Sequence, residues 1–303
     1  MATQGPDPNM FTTPFQLTKA MHRDVYDAVN PNNPALKDAA AGKVVVITGA
    51  AGGLGFSVAK AWSDANAAGV VLVGRNEAKL KETADALKAP TLVAAANITS
   101  SDDMKVVYDK TVAKFGRVDV VINTAGSFNV GAMTSETEPS AWWTDVESNV
   151  LGFYNVAHYF IKATSGEGTI VNLTSLAGSF SVPGISAYST GKLAAMKLAE
   201  YLSLENPRLR VFSFHPGMVE AEQGRGMVVD AFTLFAKDKQ ALTAGVTLYV
   251  QKSEADFLRG GFFSVNWDVD EMEKNQDEIK EKGILQLGFI KAQLSPDGHP
   301  WSG

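Results

Sequence analysis

Tyr188 and Lys192 stand four residues apart in the stretch AYSTGK. On a helix, positions i and i+4 share a face, so a phenol and an ammonium can open onto one pocket. A lysine charge beside a phenol favours the phenolate and draws the tyrosine pKa down from about 10 toward working pH. A tyrosine tuned in this way can serve as a general acid and base. The spacing also arises by chance, so its meaning depends on the neighbours that bring the pair a reactant.

A motif suited to holding one lies upstream. Directly after the apolar run Val44–Thr48 comes TGAAGGLG, ending at Gly55. Gly49, Gly53 and Gly55 allow a tight turn, a close backbone approach to pyrophosphate and close helix packing. With Leu54 they open a helix whose free N–H groups and positive dipole end suit phosphate. The second apolar run ends VVLVGRN. A carboxylate at this point would suit the ribose hydroxyl of NAD, whereas Gly74 leaves room and Arg75 brings a cation for the 2′-phosphate of NADP. NADP(H) is the expected cofactor and NAD(H) the second choice.

The elements that must position these residues follow from periodicity. Short β-branched runs at Val44–Thr48, Val70–Val73, Thr91–Ala95, Val118–Asn123, Thr169–Leu173, Arg210–His215 and Gly261–Val265 read as strands. Between most of them, Leu54–Ala65, Glu77–Lys88, Ser101–Phe115, Ser140–Ile161 and Ala187–Leu204 read as amphipathic helices, and Lys239–Gln251 as another. Alternating helices and non-alternating apolar strands imply an α/β fold, a parallel sheet covered on both faces. Residues 1–41 read as a proline-dotted N-terminal arm with one short helix around Gln16–Val29, residues 42–265 as the catalytic domain, and 266–303 as a C-terminal extension. In that extension an acidic solvated helix precedes an apolar segment that docks on the body or on a neighbouring subunit. Residues 217–236 read as a substrate loop over a greasy pocket.

Composition narrows the partners. The chain has 303 residues, with 27 basic and 33 acidic side chains for a net charge of −6, and no cysteine. That balance argues against nucleic acid or an anionic membrane as partner. The absence of cysteine excludes disulfides, thiolate metal sites and cysteine nucleophiles. No run is apolar enough for a bilayer, and the first residues lack the basic and apolar regions of a signal peptide, so a cytoplasmic location is expected. The four histidines, His22, His158, His215 and His299, lack metal-pair spacing, and no metal is expected.

From Gly42 to Val265 the chain resembles the short-chain dehydrogenase/reductase family. The resemblance rests on TGAAGGLG, NITS (Asn97–Ser100), NTAG (Asn123–Gly126), SNVLG around Asn149, IVNLTSLAG around Ser175, YSTGK and HPG (His215–Gly217), in that order. The arm and the tail GGFFSVNWDV also resemble those of filamentous-fungal members. The family implies a Rossmann-type, doubly wound, seven-stranded sheet of order 3-2-1-4-5-6-7 in a single domain. It implies that Tyr188 exchanges a proton with the substrate oxygen, Lys192 tunes that tyrosine and holds the nicotinamide ribose, Ser175 orients the carbonyl, and Asn149 holds a relay water. Asn123 and Gly126 would line the cofactor cleft, Asn97 and Ile98 would contact the adenine, and Pro216, Gly217 and Val219 would also contact the cofactor.

The chain departs from the family at four places. Asn97 stands where Asp is common, and Thr124 replaces the second Asn of NNAG. Met218, Val219, Glu220 and Ala221 follow HPG without the usual threonine, and Ala51 and Gly52 replace the basic residue many NADP enzymes carry in the glycine loop. Phe128, Met133, Phe180, Val182, Ile185, Met218, Met227 and Phe232 are the expected substrate pocket. The expected activity is NADP(H)-dependent reduction of a ketone, or oxidation of a secondary alcohol, on a bulky apolar small molecule. The alternatives are a specialised-metabolism enzyme that isomerises, dehydrates or cyclises with NADP as transient or structural cofactor, and a non-enzymatic nucleotide sensor. The family further implies a homodimer or homotetramer formed through Ser140–Ile161 and Ala187–Leu204.

Overall fold

The apolar runs form one parallel sheet in the computed structural model, which describes residues 6–129, 132–219 and 232–288. Its strands are β1 (Val44–Thr48), β2 (Gly69–Gly74), β3 (Thr91–Ala95), β4 (Val120–Asn123), β5 (Gly168–Leu173), β6 (Leu209–His215) and β7 (Phe262–Ser264). They lie in the order β3-β2-β1-β4-β5-β6-β7, and every neighbouring pair is parallel. β1 and β4 are buried at every position. Both of their faces are covered, which is why their sequences do not alternate. Val45 and Ile47 pack with Val58 and Trp62, whereas Val44 and Val46 pack on the opposite face with Met104, Phe153 and Phe160. One strand thus feeds two cores through its period of two.

The helices are α1 (Gly53–Asp64), α2 (Glu77–Asp85), α3 (Ser101–Phe115), α4 (Pro139–Thr164), α5 (Ser186–Glu205), α6 (Gln240–Tyr249), α7 (Val269–Lys274) and α8 (Gln276–Lys282). Local chemistry sets several of their ends. Asn76 caps α2 by accepting from the Lys79 amide, and Ser100 caps α3 by accepting from the Asp103 amide. Gly116 ends α3 at a φ of 75°. α4 and α5 pack against each other.

The arm departs from its expected helix. Between residues 16 and 29 there is only a 3-10 turn at Asp27–Val29, and another turn, Thr13–Phe15, precedes it. The backbone there is engaged with distant partners. The His22 amide donates to the Asn266 carbonyl at 2.9 Å, and the Lys239 amide donates to the Arg23 carbonyl at 2.7 Å. The Asn266 side chain donates to the His22 carbonyl at 2.9 Å. A helix would need those backbone groups for itself. Val29, Leu36 and Ala40 are fully buried in the core that also holds β1. At Gly245 of α6 an added Cβ would fall on the Val29 carbonyl, so a bare backbone is what lets the arm seat there.

The acidic stretch after β7 also differs from a single solvated helix. It forms α7 and α8, and Val269, Met272 and Ile279 are buried. The apolar segment beyond docks on the body, where the Leu285 carbonyl accepts from the Phe262 amide at 2.8 Å.

Candidate active site

The chain winds one way from β1 to β3 and the other way from β4 to β7, so a crevice opens at the carboxyl ends of β1 and β4. A cleft of about 1240 Å³ occupies that position. Its cofactor half begins at Gly49, whose φ of 70° makes the turn out of β1. The N-cap residue of α1 is Gly52, which brings no side-chain acceptor of its own, and Gly53, Leu54 and Gly55 of the first turn border the cleft. Gly53, Leu54, Gly55, Arg75, Asn97, Ile98, Gly126, Pro216, Gly217 and Val219 all border the cleft. Arg75 is exposed and makes no ion pair or hydrogen bond among the described residues.

Asn123 lies one layer behind. It accepts from the Thr48 hydroxyl at 2.6 Å and donates to Asn172 at 2.9 Å. Asn123 thus ties β1, β4 and β5 together beneath the cleft floor. Thr124 donates to the Thr48 carbonyl at 2.7 Å and braces the same seam.

In the other half of the cleft, Ser175 follows β5, Tyr188 and Lys192 sit on α5, and Asn149 sits on α4. All four border the cleft. The Ser175 oxygen accepts from the Ala177 amide at 3.1 Å, and its hydroxyl lies near enough to Tyr188 to act on the phenol's pKa. Lys192 is 8% exposed, and its ammonium donates to the Leu173 carbonyl at 3.0 Å. The Asn149 amide nitrogen donates to the Ser127 and Asp145 carbonyls at 2.9 and 2.8 Å. Its Oδ1 is buried without a partner among the described residues. A Cβ on Gly126 would sit 2.5 Å from that oxygen and 3.4 Å from Lys192 Nζ, so a glycine keeps this space open.

Electrostatics differ from the simple expectation that Lys192 depresses Tyr188. Burial raises the Tyr188 phenol above its ordinary value, the Ser175 hydroxyl opposes that rise, and the Asp145 charge adds to it. Burial also lowers Lys192 to about 8. The ammonium is turned to the Leu173 carbonyl, 5.6 Å from the Tyr188 ring centre. Desolvation disfavours the charged form of both groups and outweighs their mutual attraction. His215, 5% exposed, is held neutral by burial and by the Lys192 charge, with its pKa lowered to about 3.

Of the expected substrate-pocket residues, Phe128, Phe180, Val182, Ile185, Met218 and Phe232 border the cleft. Met133 does not; it is 49% exposed on the loop before α4. Met227 lies outside the described residues. Two residues went unforeseen. Phe11, from the arm, borders the cleft and packs on Phe235 at 4.8 Å; its trace in the sequence is an aromatic pair, Phe11 and Phe15, in an otherwise polar stretch. Asp145, 1% exposed, accepts from the Ser127 hydroxyl at 2.7 Å and from the Asn129 amide and side chain at 2.8 and 2.6 Å. It lies one helical turn before Asn149, and that spacing was its only signal.

The residues present fit a dinucleotide. The first turn of α1 suits pyrophosphate, the bare Gly126 leaves space beside Asn149 and Lys192, and the Asn149 oxygen, unpaired among the described residues, awaits a donor. Comparison with known proteins agrees. The family model described as short chain dehydrogenase matches residues 43–228. The chain is 31% identical over 288 residues to the short chain dehydrogenase mpl6 of Monascus purpureus, covering 91% of this chain and 97% of that relative. It is 29% identical over 299 residues to the short chain dehydrogenase pigC of Monascus ruber, covering 93% and 97%. In fold it is similar to a short-chain dehydrogenase/reductase from Serratia marcescens, with a TM-score of 0.68 at 21% identity over 75% of this chain and 97% of that one. A dehydrogenase/reductase from Sinorhizobium meliloti gives 0.67 at 22% identity, covering 76% and 96%. With its sheet order, its crevice and these relatives in agreement, the chain belongs to the short-chain dehydrogenase family, a family of oxidoreductases that use a nicotinamide cofactor.

Proposed function

We propose that the protein is an NADP(H)-dependent oxidoreductase that interconverts a ketone and a secondary alcohol on a bulky, apolar small molecule. The observation that carries this reading is the meeting of Ser175, Tyr188, buried Lys192 and the Asn149 oxygen, unpaired among the described residues, at the wall of one cleft. The cofactor, when bound, supplies or accepts the hydride. The chain's own residues do the rest. Ser175 and Tyr188 present two hydroxyls to one substrate oxygen and orient it. A phenol held above its ordinary pKa stays protonated at neutral pH, which is the state that donates to a ketone oxygen. Lys192, largely protonated at neutral pH, stabilises the phenolate left behind. Asn149 Oδ1 is placed to hold a water through which that proton is restored.

Arg75 supports NADP over NAD, because its guanidinium stands free at the rim where a 2′-phosphate would lie. The phenylalanines, Val182, Ile185 and Met218 around the cleft support an apolar substrate. Exposed Trp143, Leu151 and Tyr154 on α4, with Tyr201 and Leu204 on α5, support a homo-oligomer formed through these helices.

The test is turnover of a ketone panel with NADPH and NADH, followed at the reduced nicotinamide band, for the native chain and Tyr188→Phe. We expect stoichiometric NADPH consumption and a kcat loss of about 10²- to 10⁴-fold in the variant, with cofactor affinity retained. Full activity in the variant, or product formation without net NADPH consumption, would sink this reading.

A further inference from the structure

The N-terminal arm reaches the active-site cleft and is held there. Phe11 borders the cleft and packs edge-on against Phe235 at 4.8 Å and tilted against Phe232 at 5.9 Å. Phe232 in turn lies 5.8 Å from Phe128, and Phe128 lies 4.4 Å from the Tyr188 ring. Four rings therefore run without a break from the arm to the reacting phenol. A second arm residue, Phe15, stacks at 5.0 Å on Phe180 of the cleft wall.

The arm is anchored on both sides of these rings. Arg23 bridges the Asn9 side chain at 2.7 Å and the fully buried Asp238 at 2.8 Å. Asp238 also accepts from the Met218 amide at 2.6 Å, so the same carboxylate joins the arm to the segment that follows β6. Farther along, the Trp267 indole donates to the Phe15 carbonyl at 2.8 Å. Thr12, between the two phenylalanines, is buried. A segment tied this firmly is a wall of the pocket.

We propose that Phe11 is a specificity-determining residue. Together with Phe232 and Phe128 it forms an aromatic wall that selects a fused aromatic ketone over a saturated ketone of the same size. Rings tilted by 48° to 55° present edges and faces together, and aromatic groups prefer such offset and edge-to-face partners beyond their gain from area alone. A saturated ring system of equal volume gains only the area. This inference rests on the ketone-binding reading above and names the substrate class for the same site.

The test is calorimetric titration of β-tetralone and β-decalone into the full chain with saturating oxidised cofactor, for the native protein, Phe11→Ala, Phe11→Leu and Phe11→Tyr. The native chain is expected to prefer the aromatic ketone by about three- to tenfold. Phe11→Leu, which keeps apolar bulk, and Phe11→Ala should both bring that ratio close to one, and Phe11→Tyr should keep it. An unchanged ratio in Phe11→Leu, or no binding of β-tetralone to the native chain, would overturn the proposal. Binding is measured apart from turnover. A Phe11-dependent preference without reduction would uphold the aromatic wall and refute the reductase reading; reduction with no dependence on Phe11 would do the reverse.

Discussion

Asp145 is a buried carboxylate that braces the residues around Tyr188 from outside the cleft lining. Its two oxygens gather the loop after β4 through Ser127 and Asn129, and its backbone carbonyl, with that of Ser127, holds the Asn149 amide in place. Its charge also helps to raise Tyr188. Asp145→Asn would remove that charge and set an amide NH₂ against the Asn129 donor. The sign follows directly. With the negative charge gone, the phenolate is less disfavoured, so the pKa of Tyr188 falls. The alkaline limb of the ketone-reduction profile, where Tyr188 loses its proton, should move to lower pH, and kcat should drop about tenfold as Asn149 loosens. A pH–rate profile checks this; an unmoved limb would show that Asp145 only supports the loop.

At the scale of elements, the strands and long helices follow local pattern, while the arm follows its partners. The helix expected at Gln16–Val29 does not form, because the backbone of His22 and Arg23 is bonded to Asn266 and Lys239. The clamp between Arg23 and Asp238 is the critical joint. Burial pushes the Asp238 carboxyl up, and Asn266, Arg23 and the Met218 amide oppose that rise. Arg23→Ala would leave a carboxylate buried without its cation, which costs about 3 kcal/mol. Urea denaturation of Arg23→Ala should show that loss, and the double variant Arg23→Ala/Asp238→Asn should recover part of it. No loss in the single variant would mean that the arm is held by its apolar contacts alone.

At the scale of the molecule, the long helices carry the most exposed large apolar side chains among the described residues. Trp143 is 56% exposed on α4 and Leu204 77% exposed on α5. Side chains of this size left in water on packed neighbouring helices suit a self-complementary contact. Light scattering should report a dimer or tetramer for the native chain. A Trp143→Glu/Leu204→Glu variant should dissociate toward monomer without loss of its circular dichroism signal. A native chain that runs as a monomer would refute this reading. Among the described residues no helix is long and apolar enough to cross a membrane.

The sequence alone determined the parallel sheet, while its order and the meeting of Asn149, Ser175, Tyr188 and Lys192 at one cleft were implied by the family resemblance. Strand burial is written in runs of β-branched residues, the turns are written in glycines, and the family motifs tie each side chain to a strand end or helix face. Met133 was misplaced because apolar character near a motif does not say which way a loop faces. Tertiary structure decided what spacing does not encode. Phe11 reaches the cleft across more than two hundred residues of sequence because Arg23 meets Asp238. The tuning of Tyr188 and Lys192 was legible as a pair but not in direction, because desolvation depends on every element packed around them. Periodicity records which face of an element is buried; only the assembled molecule decides what it is buried against.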